Sequence, residues 1–322
     1  MAAEGGGMSA DLHRTERIWR NGVAQPASPS LSILTPVYDH DASPLIAGLA
    51  RGRVRDRVEI ILLDDGSPDA AVVQALKATA SKLDLPISIV EGRSNVGRSR
   101  ARNRLVDLAC GGHVLLLDAD MIPDADDFLD RWISLIHKAA PAIAFGGFSV
   151  SQAPHTRDTA LHRFVSIRSD CRRAADRARD PAQFTTTSNL LIRRDVIAAI
   201  PFDESFAGWG WEDVEWALRA QAVHKILHID NTATHAGLDD EDTLLRKARQ
   251  GAANYRRLFD KHPAAVQAFR SFRAARRLKA VPGVMALRPM LERLVRARAA
   301  PLSARNAAYK LFRTLTYAQA LP

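Results

Sequence analysis

Four short apolar runs, each closed by polar or acidic residues, constrain this chain more than any other feature. Leu31–Val37 (LSILTPV), Val58–Leu63 (VEIILL), Ile87–Val90 and Val114–Leu117 alternate with helical stretches at Pro44–Arg51, Ala70–Lys82 and Arg98–Ala109. Runs of this length suit strands buried on both faces, and their alternation with helices predicts an α/β fold with a mostly parallel central sheet. Asp126–Ala139 continues the pattern as a helix and Ala142–Phe145 as a strand; Ser188–Ile192 and Lys225–Ile229 follow as strands, Glu212–Ala222 and Asp240–Asp260 as helices. Gly146–Phe184, rich in arginine, reads as loop and helix.

The polar residues gather just after the strands. Tyr38 and Asp39 follow the first, Asp64-Asp65-Gly66-Ser67 the second and Asp118-Ala119-Asp120 the fourth. In open α/β sheets the carboxyl ends of the strands form the ligand crevice, so one acidic site is expected there.

Charge divides the chain. From Ala264 to Pro322 there are 12 Lys and Arg against one acid, Glu292, leaving 33 basic and 35 acidic residues before it. The organisation expected is an extension over 1–30, a catalytic α/β domain over 31–263 and a basic helical tail over 264–322. The tail alternates arginines with Phe269, Phe272, Leu278, Leu287, Leu291, Leu294, Leu311 and Phe312. Such helices lie on an anionic membrane surface or pack on the domain beside them; the pattern suits both. No run is long and apolar enough to span a bilayer, and Met1–Ala10 lacks the charged-then-apolar order of a signal peptide. A cytoplasmic protein, peripheral on a membrane face at most, is therefore expected. Cys110 and Cys171 show no pairing or metal-ligand spacing and are expected as reduced, at least partly buried thiols.

Four segments carry chemistry. Asp118-x-Asp120 places two carboxylates at a strand end, where hard oxygen ligands suit Mg²⁺ or Mn²⁺; the same pair also serves as an ordinary turn and helix cap. Asp65 in its Gly-Ser turn is either a cap or an acceptor for a base or ribose. Asn95–Asn103 opens a helix with Arg98 and Arg102, able to hold a phosphate or to be a solvated helix face. Most informative is Gly208-Trp209-Gly210-Trp211-Glu212-Asp213-Val214-Glu215-Trp216, where three of the five tryptophans stand beside glycines and acids. An indole gives a flat wall for the C–H face of a sugar, and a carboxylate against it becomes a base of raised pKa. His235, in Thr234-His235-Ala236-Gly237, can complete a metal site begun by Asp120, though a lone histidine is usually a satisfied structural one.

In order and spacing, Pro36-Val37-Tyr38, Asp64-Asp65-Gly66-Ser67, Asn95-x-Gly97 with Ala101-Arg102-Asn103, Asp118-x-Asp120, Trp209-Gly210-Trp211-Glu212-Asp213 and His235 resemble the family-2 glycosyltransferases of GT-A fold. The resemblance covers roughly Leu31 to Asp260. The Trp-Gly-Trp-Glu-Asp segment looks like the acceptor-side motif of β-1,4-galactosyltransferases and bacterial chondroitin-type polymerases. The resemblance implies an inverting transfer from a nucleotide-sugar, a UDP-sugar by preference, to a glycan or lipid-linked acceptor. Pro36, Tyr38 and Asp65 would line the base, Asp118 the ribose or a metal-bound water, and Asp120 and His235 would bind Mn²⁺ or Mg²⁺. Asp213 would be the catalytic base, Glu212 would hold a sugar, and Arg98, Arg102 and Trp211 would complete the donor site. Asp39 departs from the Asn that commonly follows the Tyr.

Other classes fit less well. A sugar-nucleotide nucleotidyltransferase needs a glycine-rich basic loop after the first strand, where this chain has Thr35-Pro36-Val37-Tyr38-Asp39. A nucleic-acid binder would use the basic tail, but no nucleic-acid motif accompanies it and the acidic strand ends repel phosphate, so no nucleic-acid partner is expected. An inactive nucleotide-sugar binder would have no need of an intact Glu212-Asp213.

Overall fold

In the computed structural model, residues 16–54 and 57–322 are described. Eleven strands appear among them: β1 (Arg17–Arg20), β2 (Leu31–Val37), β3 (Val58–Asp64), β4 (Ile87–Glu91), β5 (His113–Leu117), β6 (Met121–Pro123), β7 (Ile143–Phe145), β8 (Phe148–Ser149), β9 (Asn189–Arg193), β10 (Ile226–His228) and β11 (Ala233–His235). The main sheet runs β1-β4-β3-β2-β5-β9-β7-β10, and β6-β11-β8 form a second, small sheet. β2 pairs in parallel with β3 and β5, and β3 with β4. β9 enters antiparallel between β5 and β7.

Both faces of the main sheet are covered, so successive residues of one strand feed two cores. Ile33, Ile60, Leu62, Leu115 and Leu117 pack on one side with Leu45, Leu76, Phe128 and Trp132. Leu34, Ile61, Leu63, Val114 and Leu116 pack on the other with Leu105, Leu190 and Trp216. This double burial is why the strands read as continuous apolar runs. Pro36 sits in β2 beyond the last residue paired to β5, where its missing N–H costs no ladder bond.

The extension expected over 1–30 is in part a strand. Residues 1–15 lie outside the described residues, but Arg17–Arg20 pairs antiparallel with β4 and closes that edge of the sheet. Cys171 is half-buried, whereas Cys110 is exposed, contrary to its expected burial; both are free.

The tail packs on the α/β unit. Helices Arg270–Lys279, Arg288–Arg296 and Leu302–Ala320 surround the long helix Glu241–Lys261. Leu291, Val295, Tyr309, Phe312 and Leu315 bury against Leu161, Val165, Leu244 and Leu245. Phe269, Phe272 and Tyr317 join Phe206, Val214, Tyr255 and Leu258. Arg305 and Arg298 clasp Glu241, Arg296 pairs with Asp242, and Arg249 reaches Glu292. Phe269, Phe272, Leu291 and Phe312 are therefore core residues, which removes them from any membrane face. Among the tail residues named above, Leu287 stays exposed, near exposed Val281 and Met290. Among the described residues no helix is long and apolar enough to cross a membrane.

Candidate active site

The carboxyl ends of β2, β3 and β5 lie side by side because Val37 registers with Asp64 and Leu34 with Leu116. Tyr38, Asp65 and Asp118 are thereby delivered to one edge. Tyr38 is half-exposed there and Pro36 half-buried behind it. Asp65 turns inward: its carboxylate accepts the Val96 N–H at 2.8 Å and the Gly97 N–H at 3.0 Å. Burial raises its pKa despite these two donors. Gly66 (φ +74°) is required, since a Cβ would lie 2.6 Å from the Ser94 backbone. Asp65 thus ties the turn after β3 to the start of helix Arg98–Leu108.

That helix supplies the central cation. Arg102 is buried, and its Nη2 donates to Asp118 Oδ1 and its Nη1 to Glu212 Oε1, each at 3.1 Å. One guanidinium thus joins the end of β5 to helix Glu212–Gln221, reaching Glu212 across 110 residues of sequence. Burial works against its charge, but Asp118 and Glu212 outweigh that and its pKa is raised. Arg102, expected at the donor, is engaged with these two carboxylates. Arg98 remains half-exposed, with Nη1 3.9 Å from Glu212.

The Trp-Gly-Trp-Glu-Asp segment is a loop in left-handed backbone that breaks into a helix. Gly208, Gly210 and Trp211 have φ of +77°, +85° and +74°. Such a conformation strains Trp211 and persists only where neighbours fix it. They do: its ring lies 4.7 Å from Tyr255 and 5.6 Å from Tyr317. Asn254, buried on helix Glu241–Lys261, donates to the carbonyls of Ala207 and Gly210, each at 3.0 Å. No sequence signal marked Asn254. Glu212 and Asp213 occupy the first helical turn, where the helix dipole favours anions. Burial first, then the Glu212 charge and Asp118, push the Asp213 carboxyl up to about 7, against Val214 N–H and Arg102. Trp216, by contrast, is wholly buried with Nε1 on Ile200 O at 2.7 Å, and Glu215 holds Arg219 and His262. Those two are structural.

The second half of the site comes from the small sheet. β11 pairs with β6 so that His235 stands opposite Met121, and Ala236 N–H donates to Asp120 O. His235 Nε2 consequently lies 3.0 Å from Asp120 Oδ2. Burial alone would raise Asp120, but His235, with His40 and Lys247, holds it down at about 2. Burial would lower His235, yet Asp120 and Asp118 keep it raised. Three further residues, missed in the sequence, surround the pair. The His162 ring is 5.7 Å from His235, Asp239 N–H donates to His162 Nδ1, and Lys247 binds Asp239 at 2.7 Å. Lys247 also lies 5.9 Å over the Trp209 ring.

Among the described residues no three His, Cys, Asp or Glu side chains converge as a complete metal cage. The Asp120–His235 pair nonetheless fits a divalent cation. Asp120 Oδ1 is buried with no hydrogen-bond partner, beside an imidazole nitrogen and a second carboxylate's field. Two protein ligands leave the remaining positions to a ligand's own oxygens. Asp118 acts electrostatically on both His235 and Asp213, so the two halves share one field.

Comparison with known proteins adds the following. Residues 32–200 match the family model described as Glycosyl transferase family 2. The chain is 35% identical over 104 residues to the dodecaprenyl-phosphate galacturonate synthase of Rhizobium johnstonii, covering 31% of this chain and 30% of that protein. It is 25% identical over 197 residues to the amylovoran biosynthesis glycosyltransferase AmsB of Erwinia amylovora, covering 60% and 64%. The matched stretch is thus less than two thirds of either relative. Among solved structures, the mannosyltransferase PcManGT of Pyrobaculum calidifontis, in complex with GDP-Man and Mn²⁺, superposes with a TM-score of 0.55 at 15% identity over 92% of this chain and 89% of that one. S. aureus TarS 1–349 gives 0.50 at 16% identity over 88% and 90%. These likenesses establish the GT-A fold.

Proposed function

This chain belongs to glycosyl transferase family 2, and from that premise we propose that it is an inverting, metal-assisted transferase moving a sugar from a nucleotide-sugar to an acceptor hydroxyl. The observation that supports the reading is the Arg102 bridge, which joins Asp118, at the end of β5, to Glu212 beside Asp213.

Pro36 and Tyr38 offer an apolar and aromatic ledge for a base, proposed as uracil, with Asp65 holding the 96–97 loop against it. Asp118 faces the ribose. A divalent cation, Mn²⁺ or Mg²⁺, held by Asp120 and His235 would neutralise the charge of the leaving diphosphate. Trp211 forms the sugar wall, and Glu212 orients a sugar hydroxyl while Arg102 fixes its own position. Asp213 accepts the proton of the acceptor hydroxyl. That oxygen forms a bond to the anomeric carbon from the face opposite the nucleotide, and the bond from that carbon to the diphosphate oxygen breaks. A positioned base contributes about 10²–10⁴-fold, and alignment of the reactants supplies much of the rest.

The acceptor is proposed as a glycan or a lipid-linked glycan. For the latter, exposed Val281, Leu287 and Met290 stand close in sequence to exposed Arg273, Arg276, Arg277 and Arg293, giving this part of the tail both apolar and cationic surface. That combination suits an anionic cytoplasmic membrane surface.

The test is nucleotide release from a panel of UDP-, GDP- and other nucleotide-sugars, with and without Mn²⁺, comparing wild type with Asp213→Asn. Metal-dependent release that the variant abolishes is expected. Release from no donor, or full release by Asp213→Asn, overturns the reading.

A further inference from the structure

Taking Asp213 as the base for an acceptor hydroxyl, we propose that helix Leu302–Ala320 completes the acceptor site, and that Arg313, framed by Tyr309 and Tyr317, binds an oxyanion, phosphate or carboxylate, carried by the acceptor. The tail then recognises substrate as well as packing.

Tyr309, Arg313 and Tyr317 recur every four residues and form one stripe along the helix. Its lower end meets the acceptor-side segment, with the Tyr317 ring 5.6 Å from Trp211 and 4.8 Å from Tyr255. At its upper end Tyr309 packs with Leu161 and Val165 on helix Ala160–Ser169. That helix also carries His162, whose ring contacts His235. The stripe therefore runs along the wall that links Trp211 to the Asp120–His235 pair.

Arg313 lies midway along it. Its guanidinium stands 5.8 Å over the Tyr309 ring, is half-buried and is hydrogen-bonded to Tyr309, yet it takes part in no ion pair among the described residues. Several neighbouring cations are committed, Arg102 to Glu212 and Asp118, Lys247 to Asp239, Arg305 and Arg298 to Glu241, while Arg172 and Lys310 lie near Asp170. Asp170, at the end of helix Ala160–Ser169, is the carboxylate whose field reaches Arg313. Its side chain is exposed. A guanidinium stays charged at all working pH values, and a partly desolvated one without an ion partner favours an arriving anion. Its planar fork matches phosphate and carboxylate oxygens in pairs. The Asp120–His235 end is suited to the donor's diphosphate. Arg313 shares its stripe with Tyr317, whose ring meets Trp211 edge-on two residues before Asp213, and this nearness to the base for the acceptor hydroxyl assigns its anion to the acceptor.

The test uses the full chain and reads binding and turnover separately. Tryptophan fluorescence titrations would compare a hexose 6-phosphate and a hexuronate with the same neutral hexose. Wild type should bind the anionic sugars more tightly. Arg313→Gln should weaken them about 10- to 100-fold and leave the neutral sugar unchanged, with Arg313→Lys in between. Asp170→Asn, which removes a repelling charge without touching the core, should tighten them and serves if Arg313→Gln fails to fold. In nucleotide-release kinetics the acceptor KM should rise in Arg313→Gln while the donor KM holds. Equal affinity for charged and neutral sugars in wild type, an unchanged affinity in Asp170→Asn, or a rise confined to the donor KM overturns the proposal. Anion binding lost in Arg313→Gln, with no nucleotide released from any donor, would support this site while removing the transferase reading.

Discussion

Replacing Arg102 by methionine tests the site at its centre. The guanidinium is almost wholly enclosed, as is Glu212, whereas Asp118 is partly open to water. Methionine fills much of the volume but leaves Glu212 a buried carboxylate without its cation. Breaking a buried pair from one side costs about 3–5 kcal/mol, and the Asp118 contact adds little because solvent screens it. In a domain of this size that corresponds to a melting-temperature drop on the order of 10 °C. Much of the loss is the stranded charge, so Arg102→Met with Glu212→Gln should melt closer to wild type than the sum of the two single variants predicts. The change also reaches the base. Arg102 opposes the upward shift of Asp213, so its removal moves that carboxyl higher still, and residual turnover should need a more alkaline pH. Differential scanning fluorimetry on the four proteins of the cycle and a pH–rate profile are the measurements. Additive melting shifts, or a drop of only about 1 °C in the single variant, would refute the bridge; a rate profile displaced to lower pH would refute the electrostatic coupling.

Other outcomes follow from the same geometry. Because the Asp213 carboxyl is pushed up to about 7, wild-type kcat should climb as pH rises through that value, and a flat profile from pH 5 to 9 would remove it as the base. The same raised pKa favours the protonated group in the folded state, so stability is present below the ordinary carboxylate pKa and declines as pH rises through about 7. Asp213→Asn, which cannot ionise, should therefore gain in melting temperature over wild type at pH 8 and not at pH 4. Asp120→Ala and His235→Ala should each abolish the Mn²⁺ dependence of donor binding in calorimetry; unaltered binding in chelator would exclude the metal role. Asn254→Ala frees two loop carbonyls at a cost of about 1–3 kcal/mol and should lower kcat more than it raises donor KM. Sedimentation with phosphatidylglycerol liposomes should fall when Val281, Leu287 and Met290 become serine together, and equal sedimentation would end the membrane proposal.

The sheet was legible because β2 to β5 are buried on both faces, so each writes an unbroken apolar run into the sequence. Leu31–Val37 matches β2 at both ends, and the helices after β3 and β4 begin where read, at Ala70 and Arg98. What escaped notice is short or paired far away. β6, β8 and β11 are two or three residues long and carry no periodicity, so the small sheet was invisible, although it is what sets His235 beside Asp120. β1 was missed because one edge strand among polar residues lacks an apolar run. The tail was ambiguous because an arginine-rich amphipathic helix reads alike whether its apolar stripe meets protein or lipid; only the placement of Phe269, Phe272, Leu291 and Phe312 in the core decides it for those residues.

The candidate site shows a sharper asymmetry between residue type and residue role. Asp118, Asp120, Glu212, Asp213 and His235 were all expected at one site, and the structure joins Asp118 to Glu212 through Arg102 and sets His235 against Asp120. Their division of labour was not readable, because it depends on who neutralises whom. Two arginines four residues apart, Arg98 and Arg102, look equivalent on a helix; one turn of rotation buries the second between Asp118 and Glu212 and leaves the first at the surface. The buried one then cannot also serve a phosphate without releasing a carboxylate into a site that already raises Asp213. Arg313 is the converse case. In sequence it is one of many tail arginines; in the structure it is half-buried beside Tyr309 and Tyr317 and forms no ion pair among the described residues. Substrate charge should therefore be met by cations the fold leaves unpaired, and carboxylate placement governed by those it buries.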